Sequence, residues 1–151
     1  MLSTDVIIKQ VIDLPIKSLK VLKEEGRQKG LITFDVLEKK WLSGQCCFNK
    51  AGEGLFFAYK ESEIIGIGTI QQSPTAPPTA GIGLLQICYI LEKERRKGYG
   101  NRLYQHLIKF AAIEFGQLQI NEKCPYLEQL GSVIDLSQEY VKIKTSPSLS
   151  V

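Results

Sequence analysis

The chain has 151 residues, 44% of them apolar and 23% charged, the make-up of one globular domain able to bury a substantial core. Its net charge of +3 is too small to mark nucleic-acid or membrane binding by itself. No run of about 18 apolar residues is present to span a bilayer, and Met1 to Pro15 is interrupted by Asp5 and Lys9, so no signal peptide is expected.

Val6 to Val11 reads as a first strand. Asp13 is placed to cap a helix with Pro15 in its first turn, running from Ile16 toward Lys29 and ending at Gly30 or earlier at Gly26. A second helix is expected over Thr33 to Ser43, with Phe34, Leu37 and Trp41 on one face and Gly44 at its end. Leu55 to Lys60 and Glu63 to Gln71 form a hairpin about a Glu61-Ser62 turn. Gly66 and Gly68 share a face of that hairpin, leaving room for a helix or a ligand to lie close. Ser73 to Gly83, rich in proline and glycine, reads as a loop.

Leu84 to Leu91 is an apolar strand, and a long amphipathic helix is predicted from Gly98 to Phe115. Leu118 to Ile120 is a short strand and Pro125 to Leu130 a helix stopped by Gly131. Val133 to Leu136 and Tyr140 to Ile143 close the domain as a hairpin, and Thr145 to Val151 is expected to fray. Neither an internal repeat nor a second domain is visible, so residues 1–151 are read as one domain. The middle strands form an antiparallel meander. The helix between Leu91 and Leu118 is a right-handed crossover, which makes the strands on either side of it parallel. The expected fold is α/β in the mixed α+β sense, with helices on both faces of a mixed sheet.

The four cysteines, Cys46, Cys47, Cys88 and Cys124, make no Cys-x-x-Cys pair, and His106 is the one histidine. No zinc site or other metal is expected, and the thiols are read as reduced, which points to the cytoplasm. His106 lies between Gln105 and Lys109 on the polar side of its predicted helix and is expected to face solvent.

The segment Arg95-Arg96-Lys97-Gly98-Tyr99-Gly100 lies between the apolar strand and the long helix. Amides at a helix start have no helical acceptor, and the helix dipole favours an anion there. Two glycines allow close approach to the backbone. A phosphate or pyrophosphate is the ligand such a segment suits. A Walker loop requires Gly-Lys-Ser/Thr, and here Asn101 and Arg102 follow Gly100. A dinucleotide fingerprint requires a third glycine, where this chain has Leu103.

Arg95, Gly98 and Gly100 do match the pattern Arg/Gln-x-x-Gly-x-Gly/Ala. With its strand, helix and element order, the chain resembles the GNAT superfamily of acyl-CoA-dependent N-acyltransferases from Val6 to Ile143. Asn121 to Gly131 resembles a further family stretch, one residue short and with Ser132 where phenylalanine is usual. The resemblance implies a central mixed, mostly antiparallel sheet of about seven strands with a splay between the fourth and fifth. It implies acetyl-CoA, or another acyl-CoA, as cosubstrate. Cys88, Tyr89 and Ile90 then line the pantetheine channel, with the Ile90 amide polarising the thioester carbonyl. The amides from Arg96 to Asn101, with Arg95, Lys97, Tyr99, Arg102 and Asn121, belong to the donor site.

Many relatives protonate the leaving thiolate with a tyrosine. That position here holds Leu127, and its neighbour Tyr126 takes the role if the helix is shifted; otherwise Tyr126 packs. No carboxylate stands out as a general base, and Glu92 and Glu94 are expected to pair with Arg95 or Lys97. Phe34, Trp41 and Phe57 are expected in the core or in the wall of an acceptor pocket. The expected partner is an amine-bearing acceptor, without nucleic acid or membrane, and a homodimer is compatible with this reading. Two other readings stay open: a non-catalytic acyl-CoA-binding domain, and a nucleic-acid module built on Arg95 to Lys97.

Overall fold

The computed structural model describes residues 6–13, 16–45, 48–120 and 133–136. The elements are β1 (Val6–Val11), α1 (Ile16–Gln28), α2 (Thr33–Leu42), β2 (Gly54–Lys60), β3 (Glu63–Gln72), β4 (Ile82–Ile90), α3 (Tyr99–Ala111), β5 (Gln117–Ile120) and β6 (Val133–Asp135). Short 3₁₀ turns cover Pro78–Ala80 and Glu92–Glu94. Among the described residues the strands form one six-stranded sheet in chain order, with β4 and β5 parallel and every other pair antiparallel. The expected strand Tyr140 to Ile143, the helix Pro125 to Leu130, and Pro15 of the first cap lie outside the described residues. No helix among the described residues is long and apolar enough to cross a membrane.

The helix ends follow local rules. Gly30, at φ +74°, ends α1 with Leu31 N–H on Gly26 O (2.7 Å) and Gly30 N–H on Arg27 O (3.1 Å). This pair of bonds uses the last carbonyls that the helix itself leaves without donors. The Glu61-Ser62 turn has positive φ at both residues, the primed two-residue geometry that matches strand twist. Two boundaries differ from expectation. β4 starts at Ile82, because Gly81 at φ +67° turns the chain into the sheet earlier than the glycine-rich composition suggests. The regular helix α3 stops at Ala111, and looser turns carry the chain to Phe115. Phe115 is still buried, its ring against the backbones of Gly52 and Gly83.

The sheet buries both faces. On one, α3 places Leu103, Leu107 and Ile108 over Phe56, Cys88 and Ile90. On the other, Leu19, Leu22, Phe34 and Leu37 from α1 and α2 cover Phe57, Ile67 and Tyr89. The two-residue alternation of β4 thus sends Cys88 and Ile90 one way and Tyr89 the other. Gly68 is what lets α3 settle: a Cβ there would come within 2.7 Å of Leu107. The close neighbour expected at the glycine pair is the helix at Gly68, whereas at Gly66 it is Ile90 and the Tyr89 carbonyl of β4. Truncating Leu107 to alanine would cost roughly 2–5 kcal/mol.

Two irregularities interrupt the pairing of β4. Thr69 pairs with Ile87 but Ile70 with Leu85, so Gln86 is an extra, bulged residue. The ladder to β5 covers only Ile82 to Leu85, paired with Gln117 to Ile120, while β4 continues to Ile90 against β3.

Candidate functional site

Beyond Ile90 the chain passes through the Glu92–Glu94 turn into the Arg95–Gly100 segment. Arg96 has φ +65° and Gly98, the N-cap of α3, has φ +84°. Left-handed residues two apart turn the backbone tightly, a geometry that gathers successive N–H groups around one point. No side chain among the described residues caps the helix, and the Arg102 amide donates to Gly98 O at 3.1 Å. The amides of Tyr99 and Gly100 precede this first helical bond. Gly100 and Asn101 are buried in the first turn. The result is a helix start shaped for an anion.

The side chains of the segment divide differently from the sequence expectation. Arg95 turns back into the protein: its Nε donates to Ile90 O at 2.9 Å, and its guanidinium lies 5.0 Å from the Tyr89 ring centre. Arg102 reaches across to β1 and donates to Val6 O at 3.0 Å. Lys97 pairs with Glu94 at 3.0 Å, and Lys60 takes the same carboxylate oxygen at 3.0 Å while lying over the Tyr99 ring. These contacts, Lys60 first, hold the Glu94 carboxyl below the usual carboxylate range. Arg96 is exposed. Glu92, expected beside Arg95 or Lys97, instead meets Lys29 from the end of α1 at 2.9 Å, and this contact lowers its pKa. The pairing depends on how α1 packs, which no local pattern records.

Cys88, Tyr89 and Ile90 are adjacent in sequence but face two different cores, each under 5% exposed. A ligand lying along this part of β4 would therefore meet backbone more than side chain. Tyr89 sits edge-on to Phe34, with ring centres 5.0 Å apart, and donates its hydroxyl to Glu25 at 2.5 Å. The same carboxylate accepts the Glu92 amide at 3.1 Å. Sequence reasoning missed Glu25. Beside Glu24, it looks like part of a solvated helix face, and its hydroxyl partner is 64 residues away.

His106 faces solvent only in part. It is half-buried and edge-on to Phe56 with centres 5.1 Å apart; burial, helped by Lys109, lowers its pKa. Phe34 and Phe57 are core residues, and Trp41 stacks on Phe48 at 6.3 Å. Tyr126 and Asn121 lie outside the described residues.

The profile of the acetyltransferase (GNAT) family matches residues 19–123. Among solved structures, the fold is similar to a proposed acetyltransferase from Exiguobacterium, with TM-score 0.75 and 18% identity over 91% of this chain and 98% of that one. It is also similar to a GNAT family acetyltransferase from Brucella melitensis in complex with acetyl-CoA (TM-score 0.63, 12% identity, 88% and 89% covered). N-acetylglutamate synthase from Neisseria gonorrhoeae, complexed with coenzyme A and N-acetyl-glutamate, matches at TM-score 0.58 and 16% identity over 85% of this chain and 28% of its own. No curated protein matches in sequence.

Proposed function

Because the chain belongs to the acetyltransferase (GNAT) family, we propose that it transfers the acetyl group of acetyl-CoA to a primary amine by direct transfer in a ternary complex. The observation that carries this reading is the passage from β4 into α3, where left-handed Arg96 and Gly98 open a helix without a side-chain cap among the described residues. The amides from Arg96 to Asn101 fit the pyrophosphate of the donor, with exposed Arg96 as a cationic side chain beside them. The backbone of Cys88 to Ile90 fits the amides of the pantetheine arm. Tyr126 is assigned the proton for the leaving thiolate, and Asn121 is assigned to the donor site. In the reaction, the amine nitrogen bonds to the thioester carbon, the carbon–sulfur bond breaks, and the amine's proton balances the thiol released. The reduced-thiol reading of the sequence supports a cytoplasmic setting, and Cys88 itself is buried in the core.

A second reading, an acyl-CoA-binding domain without turnover, is favoured by one observation. Glu25, Glu92 and Glu94, the carboxylates around the end of β4, are all engaged by donors or cations. Two measurements separate the cases. Acetyl-CoA at a hundredfold excess over its Kd should raise stability by about 2.7 kcal/mol; no thermal shift at millimolar acetyl-CoA sinks both readings. Release of free thiol with any member of an amine panel supports transfer, and a thermal shift without thiol release supports the second reading.

A further inference from the structure

We propose that Glu25 is a positioning residue that sets the donor loop from the far side of the sheet. It stands one turn before the end of α1, a helix that packs on the sheet face opposite α3. Its carboxylate holds two consecutive parts of the path into the loop: the Tyr89 hydroxyl near the end of β4 and the Glu92 amide at the start of the 3₁₀ turn. Lys29, one turn further on, grips the Glu92 carboxylate at 2.9 Å. The last turn of α1 thus fastens Glu92 at both its backbone and its side chain.

The constraint passes onward through Tyr89. Its ring is seated against Phe34, its hydroxyl is held by Glu25, and its face lies beneath the Arg95 guanidinium. Arg95 in turn takes the Ile90 carbonyl. The residue that begins the anion-binding segment is therefore located by a chain of contacts that starts on α1. A carboxylate that accepts from a hydroxyl and an amide at once is placed to act as a strut between them. A charged acceptor is suited to this role because hydrogen bonds to ionised groups are stronger and shorter than neutral ones.

The inference rests on the acyl-donor reading for its consequence in binding, and its structural part is measured without ligand. Amide hydrogen exchange on Glu25→Ala should quicken over Glu92 to Gly100 while the β2–β3 amides keep their wild-type rates. The Kd for acetyl-CoA, measured by calorimetry, should rise about tenfold as the loop loses its preorganisation. Glu25→Gln, whose amide oxygen still accepts, should recover part of both effects. If Glu25→Ala fails to fold, Tyr89→Phe carries the test, since it removes one bond and keeps the ring. Loop exchange unchanged from wild type, or quickened equally across the sheet, overturns the proposal. Wild-type protein that does not bind acetyl-CoA overturns the donor reading alone, because the exchange result stands apart from it.

Discussion

Arg95 donates from Nε to the carbonyl of Ile90 at 2.9 Å, five residues back along the chain. This closes the end of β4 onto the loop that follows it, and the guanidinium carbon also lies over the Tyr89 ring. Lysine cannot do both, because it lacks the planar fork that donates and stacks together. Arg95→Lys should therefore cost about 1 kcal/mol of stability and weaken acetyl-CoA binding several-fold. Urea denaturation and calorimetry check the two parts; wild-type binding would show that the closure is irrelevant to the donor site.

Gly98 stands at φ +84°, with nothing near the place where a Cβ would sit. The objection to a side chain there is conformational rather than steric crowding from neighbours. Gly98→Val should lose about 1–2 kcal/mol and most donor affinity, while Gly98→Asn, which tolerates the left-handed region, should keep much of both. Gly100→Val, in the buried first turn, should abolish donor binding with the fold intact. Normal acetyl-CoA binding by Gly100→Val would refute the pyrophosphate assignment.

Thr69 is fully buried between Leu55 and Ile87 in the sheet register, and its Oγ1 has no hydrogen-bond partner among the described residues. A buried hydroxyl without a partner costs stability, so Thr69→Val should gain about 1 kcal/mol, or about 2–4 °C in Tm. A lower Tm for the valine variant would mean that the hydroxyl is satisfied in solution.

Burial of His106 lowers its folded pKa. The unfolded chain then takes up the proton first, so folding loses stability as pH falls below about 6.5 and regains it above. Denaturation at pH 7.5 and pH 5 (about one unit or more to either side) should show this loss, and His106→Gln should lessen it. An identical pH dependence in the variant would assign the effect to other groups.

Much of this protein was legible without coordinates. Apolar runs bounded by turn residues, helices with a single apolar face and glycines at helix ends are local features, governed by neighbours within a turn or a pleat. The candidate anion site is built from local features too: its glycines and its place between strand and helix are consecutive in the chain, and the structure puts left-handed backbone at Arg96 and Gly98. What the tertiary structure alone decided depends on contacts between distant residues. Arg95 turned inward because Tyr89 and Ile90 offered a ring and a carbonyl, and His106 turned toward Phe56. The bulge at Gln86 arose from strand register, a property of β3 and β4 together. Glu25 reaches the end of β4 because α1 packs where its carboxylate meets Tyr89 and Glu92. Pairings of this kind leave no periodic trace in a single chain, since packing, and not local propensity, selects them.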